Sequence, residues 1–288
     1  MGKARQTFER RQLGLALRRL RVHAGKSQQD AAEAMGKARS RIVDLEDGRN
    51  ASQPEDLAKL LDCYGVASRE RRTVLELGAL ARKRQQSHAH TDLLPNSFQR
   101  FADLEATATE INCYEFGIIP GLLQSQGYLR AVMADSDGIW WTSSAAELQE
   151  RIAFRMDRQV RILDSPEPKI LRFVLSETAL RGAVGSPEVM REQRGHILNL
   201  LESKRNLTVQ VLRSEIYGNP ARVGGLTVFG FGDKGSPIGF TSVVFGPSTY
   251  FDQESDTAAL LRAFDRLQKL ALSPEKSSRL IRQIDKEH

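Results

Sequence analysis

Several groups of residues in this 288-residue chain have types and spacings suited to chemistry. Gly230-Phe231-Gly232-Asp233-Lys234-Gly235 has the G-x-G-x-x-G form of a dinucleotide fingerprint. That fingerprint works only where a helix opens at the glycines and aims its N-terminus at the pyrophosphate. Here Ser236-Pro237-Ile238 and another strand-like run follow, so the segment reads as a hairpin turn. Arg151, Arg155 and Arg158 stand at i, i+4 and i+7 of a helical stretch. They form either an anion cradle or a basic solvated stripe, and the stripe is the simpler reading. Trp140-Trp141 either lines a ligand pocket or anchors a loop, since indole surface is costly to leave wet.

The machinery of catalysis is not visible. His23, His88, His90, His196 and His288 lack Cys or acidic partners at metal-ligand spacing, so no metal is expected. His88 and His90 fall in a polar stretch and read as solvent-facing. No G-x-S-x-G elbow precedes a helix. Glu105 and Glu110, five apart in one expected helix, diverge and read as solvated. The expectation is a protein that is not an enzyme and needs no cofactor.

A different chemistry is suggested by the stretch from Ser27 to Glu46. Reading duplex DNA takes a helix narrow enough for the major groove, held by a second helix lying across it. Ser27 to Met35 and Ala38 to Glu46 supply two such helices. Gly36 between them permits a left-handed turn, and the small Ala31 and Ala32 allow close approach. Charge agrees: residues 1–86 carry 19 Lys and Arg against 11 Asp and Glu, a net +8, while the remainder carries 23 against 25, a net −2. A basic first module on a slightly acidic second one points to a polyanionic partner for the first alone.

The elements around these residues divide the chain. Residues 10–84 read as short helices: Leu13, Leu17 and Leu20 repeat at helical spacing up to Gly25, Pro54 opens a fourth helix, and Arg69 to Arg84 makes a fifth. Residues 85–97 are polar and read as a linker. Beyond them lie helices at Phe98 to Ile111, Ser125 to Met133, Ala145 to Leu163, Pro187 to Leu201, Thr257 to Ala271 and Pro274 to Ile284. Strands are expected at Ile170 to Leu175, Leu207 to Leu212, Leu226 to Phe231 and Ile238 to Phe245. The fold class is thus multidomain: an all-α domain over 1–84, then an α+β domain over 98–288 with a mainly antiparallel sheet. No run of about 18 apolar residues suggests a membrane span, and the basic start leads into Arg10-Arg11 rather than an apolar secretory stretch. Cys63 and Cys113 read as small buried apolar residues rather than a disulfide, which fits a cytoplasmic protein.

Leu17-Arg18-Arg19-Leu20-Arg21 with Gly25-Lys26-Ser27-Gln28-Gln29-Asp30-Ala31-Ala32 resembles the opening of the phage-repressor-like, xenobiotic-response-element family of helix-turn-helix regulators. Ile42-Val43-Asp44-Leu45-Glu46-Asp47-Gly48-Arg49 resembles that family's recognition-helix exit. The resemblance implies that Arg21 pairs with Glu46, and that Gln28 contacts the DNA backbone at a helix N-terminus already suited to phosphate. It further implies that Arg39, Ser40, Arg41 and Asp44 face base edges, and that Arg49 and Asn50 lie near phosphates. Arginine suits the O6 and N7 of guanine. Two departures stand out. Ala38 replaces the usual capping Ser or Thr, and Asp44 and Asp47 bring negative charge to a phosphate-facing surface. Asp44 either accepts from cytosine N4 or orients a neighbouring arginine; the second is preferred, because an unpaired carboxylate near phosphates is unfavourable.

Residues 98–286 resemble the C-terminal domain of a large set of actinobacterial regulators. The resemblance rests on Phe101-Ala102-Asp103-Leu104-Glu105, Tyr114-Glu115, Ile119-Pro120-Gly121-Leu122-Leu123-Gln124, Tyr128, Arg151, Arg158-Gln159, Leu175-Ser176-Glu177, Ala179-Leu180-Arg181, the run Asn206 to Leu212, and Leu272-Ser273-Pro274. It implies a unit that senses a signal or docks a small partner protein. The expected function is a sequence-specific regulator binding double-stranded DNA as a homodimer at palindromic sites, nucleoid-associated when bound. The alternative is a DNA-tethered small-molecule binder or enzyme whose C-terminal domain carries the main activity. Burial of Arg151, Arg155 and Arg158 in a pocket would favour that alternative.

Overall fold

A computed structural model describes residues 6–83, 89–93, 97–243 and 248–287. The chain forms two compact units. The first holds residues up to Thr107 together with 231–238 and 249–254, and the second holds 108–230, 239–248 and 255–288.

Five helices open the first unit: α1 Phe8–His23, α2 Gln28–Met35, α3 Arg39–Glu46, α4 Pro54–Cys63 and α5 Ser68–Arg82. Their ends follow from local chemistry. Thr7 caps α1, and Ser27 and Asp30 form a reciprocal capping box on α2. Gly36 closes α2 at φ 64°, in the left-handed region that a side chain penalises. Pro54 occupies the first turn of α4. Leu13, Leu17, Leu20, Ile42, Leu45 and Leu57 form the centre of one core beneath these helices.

A close approach fixes α1 against the exit of α3. A Cβ on Gly14 would stand 2.5 Å from the Glu46 carbonyl oxygen and 2.6 Å from that of Leu45. Because the obstacle is backbone, Gly14→Ala is expected to lower unfolding free energy by about 3 kcal/mol. Gly117→Ala, where an added Cβ meets nothing within 4 Å, should stay within about 0.5 kcal/mol. Chemical denaturation of the two variants checks the contrast.

The first unit extends beyond the helices. Ala89–Thr91 form strand β1, and Ser97–Thr107 form α6, which Arg19 joins to α1 through an ion pair with Asp103. The interval expected as a linker over 85–97 therefore contains a strand; its residues 85–88 and 94–96, His88 among them, lie outside the described residues.

The second unit alternates helix and strand: β2 Glu110–Glu115, α7 Gln126–Ser136, α8 Ala145–Leu163, β3 Ile170–Ser176, α9 Glu177–Arg181, α10 Pro187–Ser203, β4 Leu207–Leu212 and β5 Leu226–Gly230. Then come β6 Ile238–Thr241, α11 Glu254–Leu270 and α12 Pro274–Glu287, while β7 Thr249–Phe251 belongs to the first unit. In the first unit β1 lies beside β7, and in the second the strand order is β6-β5-β2-β3-β4. An all-helical region followed by a domain mixing helices with a sheet is the class expected from the sequence. Antiparallel pairing joins β1 to β7 and β5 to β2. Helical crossovers between β2, β3 and β4 let these three run parallel.

Two local expectations are corrected. The helix expected to reach Ile111 ends at Thr107, and Glu110–Glu115 is instead β2. Glu105 and Glu110 therefore share no helix, and Glu105 is buried rather than solvated. Four successive residues of β2, Ile111 to Tyr114, are buried. A central strand covered on both faces lacks the alternation that marks a half-exposed one.

Candidate nucleic-acid interface

The α2–turn–α3 unit presents one side of α3 to solvent. Ile42 and Leu45 enter the core, while Arg39 and Ser40 are exposed and Arg41 and Asp44 are half-buried. Ala38 precedes α3 without a side-chain cap, so the first-turn N–H groups of this helix have no side-chain acceptor from its N-cap.

Behind that face runs a chain of charge-assisted hydrogen bonds across three helices. Arg21 Nε donates to Glu46 Oε1 at 2.5 Å, and its Nη2 donates to Oε2 at 3.0 Å, a bidentate pair. Arg21 Nη1 also donates to the Lys26 carbonyl at 2.8 Å, fixing the turn before α2. Gln28 Nε2 donates to Glu46 Oε2 at 3.0 Å, and Gln28 Oε1 accepts from Arg39 Nη2 at 2.9 Å. Arg39 is thus aimed by Gln28, which is held by Glu46, which is held by Arg21. Glu46 is only 5% exposed. Its hydrogen bond is the largest influence on Arg21 and raises the guanidinium pKa further above its ordinary value.

Beyond α3 the basic groups are steered by acids. Arg49 lies 3.3 Å from Asp44 and 3.1 Å from Asp47, with all three side chains about two-fifths exposed. Exposed pairs of this kind are worth little and exchange readily for another anion. Arg41 Nη2 donates to the Ala51 carbonyl at 3.1 Å. Asn50 is half-buried beside Arg49, with no side-chain hydrogen bond to a described residue.

The Arg151, Arg155 and Arg158 trio on α8 does not share one environment. Arg151 is exposed and its guanidinium lies 5.4 Å from the centre of the Trp141 ring. Trp141 thus packs against a helix, while Trp140 is exposed. Arg155 is half-buried, and burial, then Arg158 and Arg151, push its pKa down to about 10. Arg158 is buried against Gly121, where a Cβ would come within 2.8 Å of its Nη2. The Gly230–Gly235 segment is the turn between β5 and β6, with a single 3-10 turn at Gly232–Lys234 and no helix behind it.

His90 is the residue most misjudged from sequence. Instead of facing solvent it is 6% exposed, with Nδ1 2.7 Å from Glu9 Oε1 and Nε2 3.0 Å from Asp252 Oδ1. Asp252 also accepts the Phe8 N–H at 2.8 Å, and Phe8 stacks on both His90 and Tyr250. Burial alone would lower the imidazole pKa, but hydrogen bonds donated to Asp252 and Glu9 outweigh it and raise the value to about 9. Both carboxylates are remote in sequence from His90, so no local spacing signals the cluster. Among the described residues no group of three or more His, Cys, Asp or Glu side chains is placed to hold a metal, and no helix is long and apolar enough to cross a membrane.

The N-terminal arrangement and the mixed domain together define a helix-turn-helix protein with a larger C-terminal domain. Residues 12–75 match the family described as helix-turn-helix domain. Residues 98–283 match the family described as domain of unknown function DUF5753, and the chain belongs to that family. No curated protein matches the chain.

Proposed function

We propose that this protein is a sequence-specific regulator of transcription, of the phage-repressor-like kind, that binds double-stranded DNA through α2 and α3. The observation that carries this reading is the pairing of an outward Arg39 and Ser40 with a rigid inner network from Arg21 to Gln28. A helix fixed from behind and bare in front suits the major groove. Arg39 and Arg41 read base edges, and Asp44 acts by orienting Arg49, which meets the backbone with Asn50. Since both ends of the Gln28 amide are engaged, its contribution to phosphate binding comes through the α2 N-terminus and through aiming Arg39. The protein acts without catalysis, in the cytoplasm, and with the nucleoid when bound. It acts as a homodimer, because one small module contacts few bases.

Binding to fragments of the protein's own promoter region tests this reading. Arg39→Ala with Arg41→Ala should reduce preference for the specific site about 100-fold, since each good bidentate contact contributes about 1–3 kcal/mol of discrimination. Circular dichroism should stay unchanged. Affinity should fall steeply with salt as phosphate contacts release counterions. Unaltered selectivity in the double variant would remove α3 as the reading element.

The C-terminal domain, in this proposal, receives the signal, from a small ligand or a small partner protein. Arg158 is buried against Gly121 and Arg151 packs on Trp141, which supports a structural role for these two members of the α8 trio.

A further inference from the structure

A cleft of about 200 Å³ opens in the first unit between the N-terminal half of α1, the exit of α3 and the turn after β5. Arg11, Leu15 and Arg18 line it from α1, with Asp47 below and Phe231 and Asp233 opposite. Its volume lies under the range that takes drug-sized molecules, which sets the size of any occupant.

The charge within the cleft is unevenly compensated. Glu46 and Asp47 also reach it, but each is already paired, with Arg21 and Arg49 respectively. Arg11 is 7% exposed, and its guanidinium lies 4.0 Å from the centre of the Phe231 ring. Among the described residues its side chain donates one hydrogen bond, from Nη2 to the Gln6 side-chain oxygen. Burial lowers the Arg11 pKa to about 10, with Asp252 acting in the opposite direction. Arg18 is exposed and its side chain has no partner among the described residues. Asp233 is the one lining carboxylate without a side-chain partner among the described residues.

We propose that this cleft binds a small organic anion, a carboxylate or phosphate whose charged end meets Arg11 and Arg18 and whose apolar body rests on Leu15 and Phe231. Two guanidiniums converging on one anion give short, charge-assisted hydrogen bonds, and the buried one is pre-set by its ring contact. The turn that supplies Phe231 and Asp233 is the same Gly-rich segment that resembles a dinucleotide fingerprint. At Gly235 in this turn, an added Cβ would overlap the end of the Arg11 side chain, so the turn lies directly against that guanidinium. The site adjoins Asp47, which accepts from Gln6 at its carbonyl at 2.6 Å and pairs with Arg49. Any effect of an occupant on DNA rests on the function proposed above; the binding itself does not.

Thermal unfolding of the full chain at constant ionic strength, with inorganic phosphate or benzoate as probe and chloride as control, tests the site. At least one probe should raise the melting temperature saturably. Arg18→Gln should shift its midpoint to about tenfold higher concentration, Arg11→Gln by as much or more, and Arg205→Gln on the second unit should not shift it. Arg18 is exposed, so its variant remains informative if Arg11→Gln does not fold. No saturable rise with either probe, or an unmoved midpoint in Arg18→Gln, overturns the proposal. DNA binding without probe separates the two sources of anion. Arg18→Gln should keep wild-type affinity within about twofold, whereas a tenfold loss with a shallower salt slope would assign the cleft to a DNA phosphate and overturn a small-molecule site.

Discussion

Glu46→Ala should lower the unfolding free energy by about 3 kcal/mol, the scale for stranding one partner of a buried ion pair. The carboxylate takes three hydrogen bonds, two from Arg21 and one from Gln28. Its removal leaves the Arg21 charge without a counter-ion and frees Gln28 to turn, so Arg39 loses its support as well. Urea denaturation should register the first effect, and anisotropy on promoter DNA the second as a loss of selectivity. Arg21→Ala combined with Glu46→Ala should cost less than the two single losses added, by about 1–3 kcal/mol, as expected for side chains in direct contact. Simple additivity would mean that the two act separately and that the chain of contacts does not work as a unit.

His90→Ala should be comparably severe and should carry a pH signature. An imidazole raised from 6.5 to about 9 contributes on the order of 3 kcal/mol when protonated. Since the folded value lies above the unfolded one, that contribution is complete below pH 6.5 and is lost as pH rises through about 9. The charges that face the ring are Glu9 from α1 and Asp252 beyond β7, with Arg11 close enough to act on Asp252. The gap in stability between wild type and His90→Ala should be wide at pH 6, narrower at pH 8, and at pH 10 reduced to the packing lost against Phe8. A gap independent of pH would assign the loss to packing against Phe8 alone.

Much of the helical region was legible because its signals are local. The Ser27 cap, the left-handed Gly36 and the buried Leu13, Leu17 and Leu20 each act within one turn of the chain. The missing cap at Ala38 was equally visible, and the structure has no side-chain acceptor there. The family resemblance supplied the Arg21–Glu46 pairing, which a separation of 25 positions hides from any local pattern. Hidden features depend on distant partners. Gly14 looks like an ordinary helix-weakening glycine until the backbone of Glu46 is placed against it. β2 has no alternation because both of its faces are covered, and His90 sits in a polar stretch whose neighbours give no hint of Asp252, 162 positions away. Arg155 and Arg158 show the limit from the other side. Their spacing places them on one helix, yet spacing cannot tell a buried guanidinium from a solvated one.

The β1–β7 pairing has a consequence for how the protein is made. Tyr250 and Asp252 complete the surroundings of Phe8, so α1 waits for partners that lie up to 244 positions further along the chain. Contacts so far apart in sequence form slowly, and during synthesis the amino-terminal bundle exists without them. A product terminated before Tyr250 would carry α1 without these contacts.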